Sequence, residues 1–158
     1  IAPTVNPRTG AAQFQFYADK AVASVKRIYV YGDKVIRGEG EDMETVYAPE
    51  SLHLYSRIRT PELRFRVNRD GRPADDKVWN GLTALAVSGS GDKYAALVTE
   101  KADFTRYWIT PDRLDADWTL VVNGKVLPGR FGAPVWSHAA QSLLVLEQKG
   151  TDIVLTSL

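Results

Sequence analysis

Two stretches of the chain repeat one another. Leu85–Leu97 and Pro134–Leu146 align without a gap at a spacing of 49 residues. Each reads as an apolar strand, a serine (Ser88, Ser137), a four-residue turn, a polar residue (Lys93, Ser142) and a second apolar strand. Thr45–Tyr55 is a fainter third copy. A unit of this size cannot bury its apolar faces alone, so copies of it have to stack on one another.

Turn chemistry divides the rest of the chain into short strands. Asp70-Gly71 follows Leu63, Phe65 and Val67, which alternate with Arg64, Arg66 and Asn68. Asn123-Gly124 separates Trp118–Val122 from Lys125–Leu127, and Gly32-Asp33-Lys34 separates Tyr29–Tyr31 from Val35-Ile36. Lys149–Asp152 joins Leu143–Leu146 to Ile153–Leu155. Asn-Gly and Asp-Gly tolerate the positive φ of tight hairpins, so these pairs predict antiparallel strands. Phe14–Val25 stays ambiguous between a strand (Gln13–Phe16) and a helical spacing of Phe14, Tyr17, Ala18, Ala21, Val22 and Val25. We favour a strand followed by a short irregular or helical piece.

Together these signals predict a mostly all-β chain of antiparallel, blade-like sheets, an incomplete or small β-propeller, in a single domain over 1–158. Strand repeats of roughly 40–50 residues are the mark of propeller blades. Val135-Trp136-Ser137, a turn and then Ser142–Val145 resembles the repeat of TolB-like and WD40-like propellers, usually Trp-Ser-Pro-Asp-Gly before an apolar strand. Here His138, Ala139 and Ala140 replace Pro-Asp-Gly, and the earlier copy carries Ser88-Gly89-Ser90-Gly91-Asp92. A closed ring needs about four blades or more, and the chain has room for about three, which favours an open arrangement.

The chemistry that the sequence can support is narrow. There are no cysteines, which excludes thiol nucleophiles and thiolate metal sites. The two histidines, His53 and His138, have no nearby His or Cys partner, so no metal site and no cofactor is expected. Ser137 adjoins His138, but no Gly-x-Ser-x-Gly elbow is present, and no catalytic residue is assigned. Asp112, Asp115 and Asp117 do not follow calcium-loop spacing, and Ser88–Lys93 does not meet the phosphate-loop pattern. Arg57, Arg59, Arg64, Arg66, Arg69 and Arg72 read as a solvated or aggregation-guarding strand face, or else as a basic patch for an acidic protein. A net charge of +1 gives no pull toward nucleic acid. No apolar run is long enough to span a bilayer.

The non-Met start, Ile1–Pro7, is short, Pro-containing and irregular, as in a mature exported chain whose signal peptide has been removed; trimming is the alternative. An exported chain without catalytic groups is expected to be a binding protein. In size and style it is similar to periplasmic immunity proteins that neutralise type VI secretion effectors, especially peptidoglycan amidases. That resemblance implies a secreted cell-wall-degrading enzyme as partner and a loop that plugs its active site. Ser88, Gly89, Ser90, Gly91 and Asp92 are the expected partner-binding loop, since glycine allows close backbone approach and serine hydroxyls can bond catalytic groups. Two other readings stand beside it: an envelope scaffold or sensor of the propeller-lipoprotein type, and a carbohydrate-active protein using Trp79, Trp108, Trp118 and Trp136.

Overall fold

The computed structural model describes residues 4–6, 9–10, 12–17, 27–31, 33–37, 41–101, 114 and 116–158. Among them there is no helix; the ordered elements are sixteen strands. They form four antiparallel sheets in chain order, none closed into a barrel. The first holds β1 (Thr4–Val5), β2 (Ala12–Tyr17), β3 (Arg27–Tyr31) and β4 (Lys34–Arg37). The second holds β5 (Glu41–Tyr47), β6 (Leu54–Arg59), β7 (Phe65–Arg69) and β8 (Arg72–Pro73). The third holds β9 (Gly81–Val87), β10 (Tyr94–Thr99), β11 (Thr119–Val122) and β12 (Lys125–Leu127). In the fourth, β15 (Ser142–Lys149) pairs with β16 (Asp152–Ser157) along one edge and with β13 (Arg130–Phe131) and β14 (Val135–Ser137) along the other.

The blade-like, all-β expectation therefore holds. Phe14–Tyr17 lies in β2, while residues 18–25, the rest of the ambiguous segment, lie outside the described residues, as do Ile1–Pro3, Trp108, Asp112 and Asp115. The hairpin reading also holds. Asp70 (φ 50°) and Gly71 (φ 82°) join β7 to β8, and Asn123 (φ 48°) and Gly124 (φ 74°) join β11 to β12. Two consecutive positive φ values are those of the type I′ turn, whose twist matches the flanking strands. One detail differs. Leu63 is not a strand residue: it sits in a turn at φ 60° and is exposed, and β7 begins at Phe65. Thr60 and Arg64 close that turn through a backbone hydrogen bond of 2.7 Å.

The third sheet is the centre of the core. Every residue of β10 is buried, because both faces of the strand are covered. Tyr94, Ala96 and Val98 face the second sheet, against Tyr55, Phe65 and Val67; Ala95 and Leu97 face the fourth, against Phe131, Leu143 and Val145. A strand covered on both sides needs a near-continuous apolar run, which Tyr94–Val98 supplies. A bulge in β9 makes the packing consistent. The register shifts between Ala95 and Leu97, so Ala84 (φ 53°) and Leu85 oppose Ala96. Two residues against one turns the strand by a side, and Leu82, Leu85 and Val87 all reach the second sheet. Each fully buried Leu, Val or Phe here is worth about 1.5–3 kcal/mol.

Within the arginine-rich stretch Arg72 is exposed, but Arg57 and Arg64 are tied into the fold. The Arg57 side chain is only 14% exposed, and its guanidinium donates to the Leu82 carbonyl at 2.8 Å. Arg64 donates to the Val78 carbonyl (2.9 Å) and pairs with Glu100 (3.0 Å). Satisfying a carbonyl of the adjacent sheet is a structural task, and the sequence alone did not separate it from surface charge.

Candidate functional site

The three repeat copies occupy equivalent places. Each spans two consecutive antiparallel strands of one sheet and the turn between them: β5–β6, β9–β10 and β14–β15. The turns share hydrogen-bond geometry. Ala48 N–H donates to the His53 carbonyl (2.8 Å), and Ser88 N–H donates to the Lys93 carbonyl (2.9 Å). Ser137 pairs with Ser142 in the same relation. The gap-free alignment of Leu85–Leu97 with Pro134–Leu146 is thus a structural equivalence, and the faint copy at Thr45–Tyr55 belongs to the same set.

Stacking the sheets brings the three turns together at one end. Glu50 N–H donates to the Gly89 carbonyl (2.9 Å), and the Tyr55 hydroxyl donates to the Gly91 carbonyl (2.9 Å). From the fourth sheet, Gln141 Nε2 donates to Glu50 Oε1 (3.3 Å). Gly91 has φ +74°, and a Cβ there would lie 2.8 Å from His53 Cβ and 2.9 Å from Ala48 Cβ. Gly89 is pinned on its other side: a Cβ would lie 2.7 Å from Glu50 Oε2 and 2.8 Å from Trp136 Cζ2. Both glycines are needed for close approach of backbone to a neighbouring turn.

The five expected partner-binding residues therefore divide into two groups. Ser88, Gly89 and Gly91 are buried, while Ser90 and Asp92 are exposed. Ser88 Oγ accepts the Lys93 N–H (3.0 Å) and donates to Asp92 Oδ1 (2.7 Å); Ser90 Oγ donates to the same oxygen (2.6 Å). The hydroxyls of Ser90 and Ser88 hold the Asp92 carboxyl below the usual carboxylate range. Asn123 fastens the base of the turn, accepting the Tyr94 N–H on Oδ1 (2.9 Å).

A cleft of about 200 Å³ opens at the foot of this turn. Glu50, Ser88, Ser90, Asp92, Trp136 and Gln141 line it. Of the tryptophans, Trp118 is 5% exposed within the core and Trp79 packs against it, so only Trp136 of the described three belongs to the cleft. Trp136 Nε1 donates to His138 Nδ1 (3.3 Å), which lies 3.6 Å from Glu50 Oε1. Ser137 Oγ accepts the Ala140 N–H (3.1 Å) and so caps its own turn. Among the described residues no group of three His, Cys, Asp or Glu side chains is placed to hold a metal ion. No helix among them is long and apolar enough to cross a membrane.

One pairing escaped the sequence reading. His53 Nδ1 lies 2.7 Å from Asp70 Oδ2, and Asp70 Oδ1 accepts the Leu54 N–H at 2.9 Å. Lys34 Nζ stands 3.8 Å from the same carboxylate and donates to the Leu52 carbonyl (3.0 Å). Burial pushes the Asp70 carboxyl up, but the Leu54 N–H, His53 and Lys34 together outweigh it and hold it low. The β6–β7 register pairs Tyr55 with Arg69, which sets Leu54 opposite Asp70; a hairpin alignment of these strands would have revealed the contact. No protein-family model matches the sequence, and no curated protein is significantly similar to it.

Proposed function

We propose that this chain is a non-enzymatic, periplasmic binding protein of the immunity type. It neutralises a secreted cell-wall-degrading enzyme by placing the Ser88–Asp92 turn in that enzyme's active site. The observation that carries the reading is the pre-ordered turn. Both serine hydroxyls share one Asp92 oxygen, and both glycines are wedged against neighbouring turns. A loop already held in shape loses little conformational freedom on binding, which favours tight association. Ser90 and Asp92 meet the partner; Ser88, Gly89 and Gly91 hold them in place.

A second reading, an envelope scaffold of the propeller-lipoprotein type, is favoured by a different feature. Val135, Leu146, Ile153 and Leu155 are exposed on the outer side of the fourth sheet, a surface on which another sheet could be laid. Affinity capture from the source organism's envelope, with mass spectrometry, separates the two. The immunity reading expects a stoichiometric peptidoglycan hydrolase whose release of cell-wall fragments stops at one equivalent of this chain. Capture of that hydrolase with undiminished activity, or of structural envelope proteins alone, would sink it.

A further inference from the structure

We infer that the cleft at the foot of the Ser88–Asp92 turn receives a cationic side chain, preferentially an arginine, from the bound partner. This rests on the partner-facing role proposed for that turn. The cleft volume of about 200 Å³ suits a single side chain better than a whole ligand, since small-molecule sites run to about 300–1,000 Å³. Its lining combines an indole with two carboxylates. Trp136 and Glu50 approach the Gly89 backbone together, each within 3 Å of the point a Cβ would occupy. Asp92 and the hydroxyls of Ser88 and Ser90 come from the turn itself. Asp92 is kept ionised by its serine donors.

Indole beside carboxylate is the environment that a guanidinium satisfies best. The planar cation is attracted to the aromatic system while its N–H fork is accepted by carboxylate oxygens. An ammonium offers no planar fork and is more strongly hydrated, so lysine is the weaker occupant. Among the described residues that line the cleft, Lys93 is the one Lys or Arg beside the Glu50 and Asp92 carboxylates. Gln141 donates to Glu50, and His138 Nδ1, which accepts the Trp136 N–H, stands beside it, so the Glu50 carboxylate is held near the indole. An anionic side chain would meet the like charges of Glu50 and Asp92 and lose solvation on entering.

The test uses the chain alone, with Nα-acetyl-arginine methylamide as probe and its lysine and citrulline counterparts as controls. Nitrogen–proton NMR follows the Trp136 indole N–H and the Ser90 and Asp92 amides. Saturable shifts at millimolar arginine are expected, with lysine about fivefold weaker and citrulline silent. Glu50→Gln should weaken the arginine response about fivefold, with the rest of the spectrum unchanged, and raising the salt should weaken it as well. The salt series stands by itself if Glu50→Gln disturbs the fold. No saturable shift with arginine, an equal response to citrulline, or full binding by a folded Glu50→Gln would overturn the inference. The outcomes separate from those of the functional reading: arginine binding without any hydrolase partner removes the immunity role and leaves the cleft assignment, and a captured hydrolase with no arginine response does the reverse.

Discussion

Replacing Gly91 by alanine tests whether the turns really lock against one another. Two costs add at this position. The backbone is left-handed, at φ +74°, which costs an L side chain about 1–2 kcal/mol. The new methyl group would also lie 2.8 Å from His53 Cβ and 2.9 Å from Ala48 Cβ. Neither atom can move by changing rotamer, so the turn of the second sheet must shift, an overpacking cost of about 1–3 kcal/mol. The sum is about 3 kcal/mol. Gly150→Ala is the matched control: φ is +62° and nothing lies within 4 Å, so only the backbone cost of about 1–2 kcal/mol applies. With a urea slope of about 2 kcal/mol/M, the unfolding midpoint should fall by about 1.5 M for Gly91→Ala and about 0.7 M for Gly150→Ala. Equal shifts, or a smaller one at Gly91, would refute the turn-on-turn contact and with it the pre-ordered loop.

Two further outcomes follow from the packing and the charges. Leu143 is 1% exposed between the third and fourth sheets and Leu155 is 66% exposed, so Leu143→Ala should cost about 2–5 kcal/mol and Leu155→Ala no more than about 0.5 kcal/mol, both read by urea denaturation. Asp70 has a lowered folded-state pKa, so its contribution is present above its unfolded pKa of about 4 and is lost as pH falls through the lower folded value. Thermal melts from pH 5 to pH 2 should therefore show wild type losing stability more steeply than Asp70→Asn, and parallel curves would contradict the His53–Asp70–Lys34 cluster.

Much of the fold was legible because local chemistry and global packing agree here. Asp70-Gly71 and Asn123-Gly124 announced two hairpins, and the continuous apolar run Tyr94–Val98 fits a strand covered on both faces. The repeat was legible because each copy serves the same turn. What stayed hidden depended on contacts between distant residues. The β9 bulge is set by the need for Leu82 and Leu85 to face one sheet, which no local signal at Ala84 records. The burial of Arg57 follows from the Leu82 carbonyl across the sheet gap. At the site, Ser88–Asp92 stood out as small and polar, but its division into buried supports and exposed tips required the neighbouring Glu50 and Trp136. These two lie far from it in sequence and form the cleft with it.

The most direct test of the binding role compares two tryptophan substitutions at opposite ends of the sheets. Ser90 is exposed on the proposed contact turn, and Thr151 is exposed in the β15–β16 turn. Calorimetric titration of each variant against the captured hydrolase measures the change in affinity. Ser90→Trp should weaken binding about tenfold or more, a loss of at least about 1.4 kcal/mol, and Thr151→Trp should bind as wild type does. Wild-type affinity for Ser90→Trp, with the fold intact, would contradict the assignment of the Ser88–Asp92 turn to the partner interface.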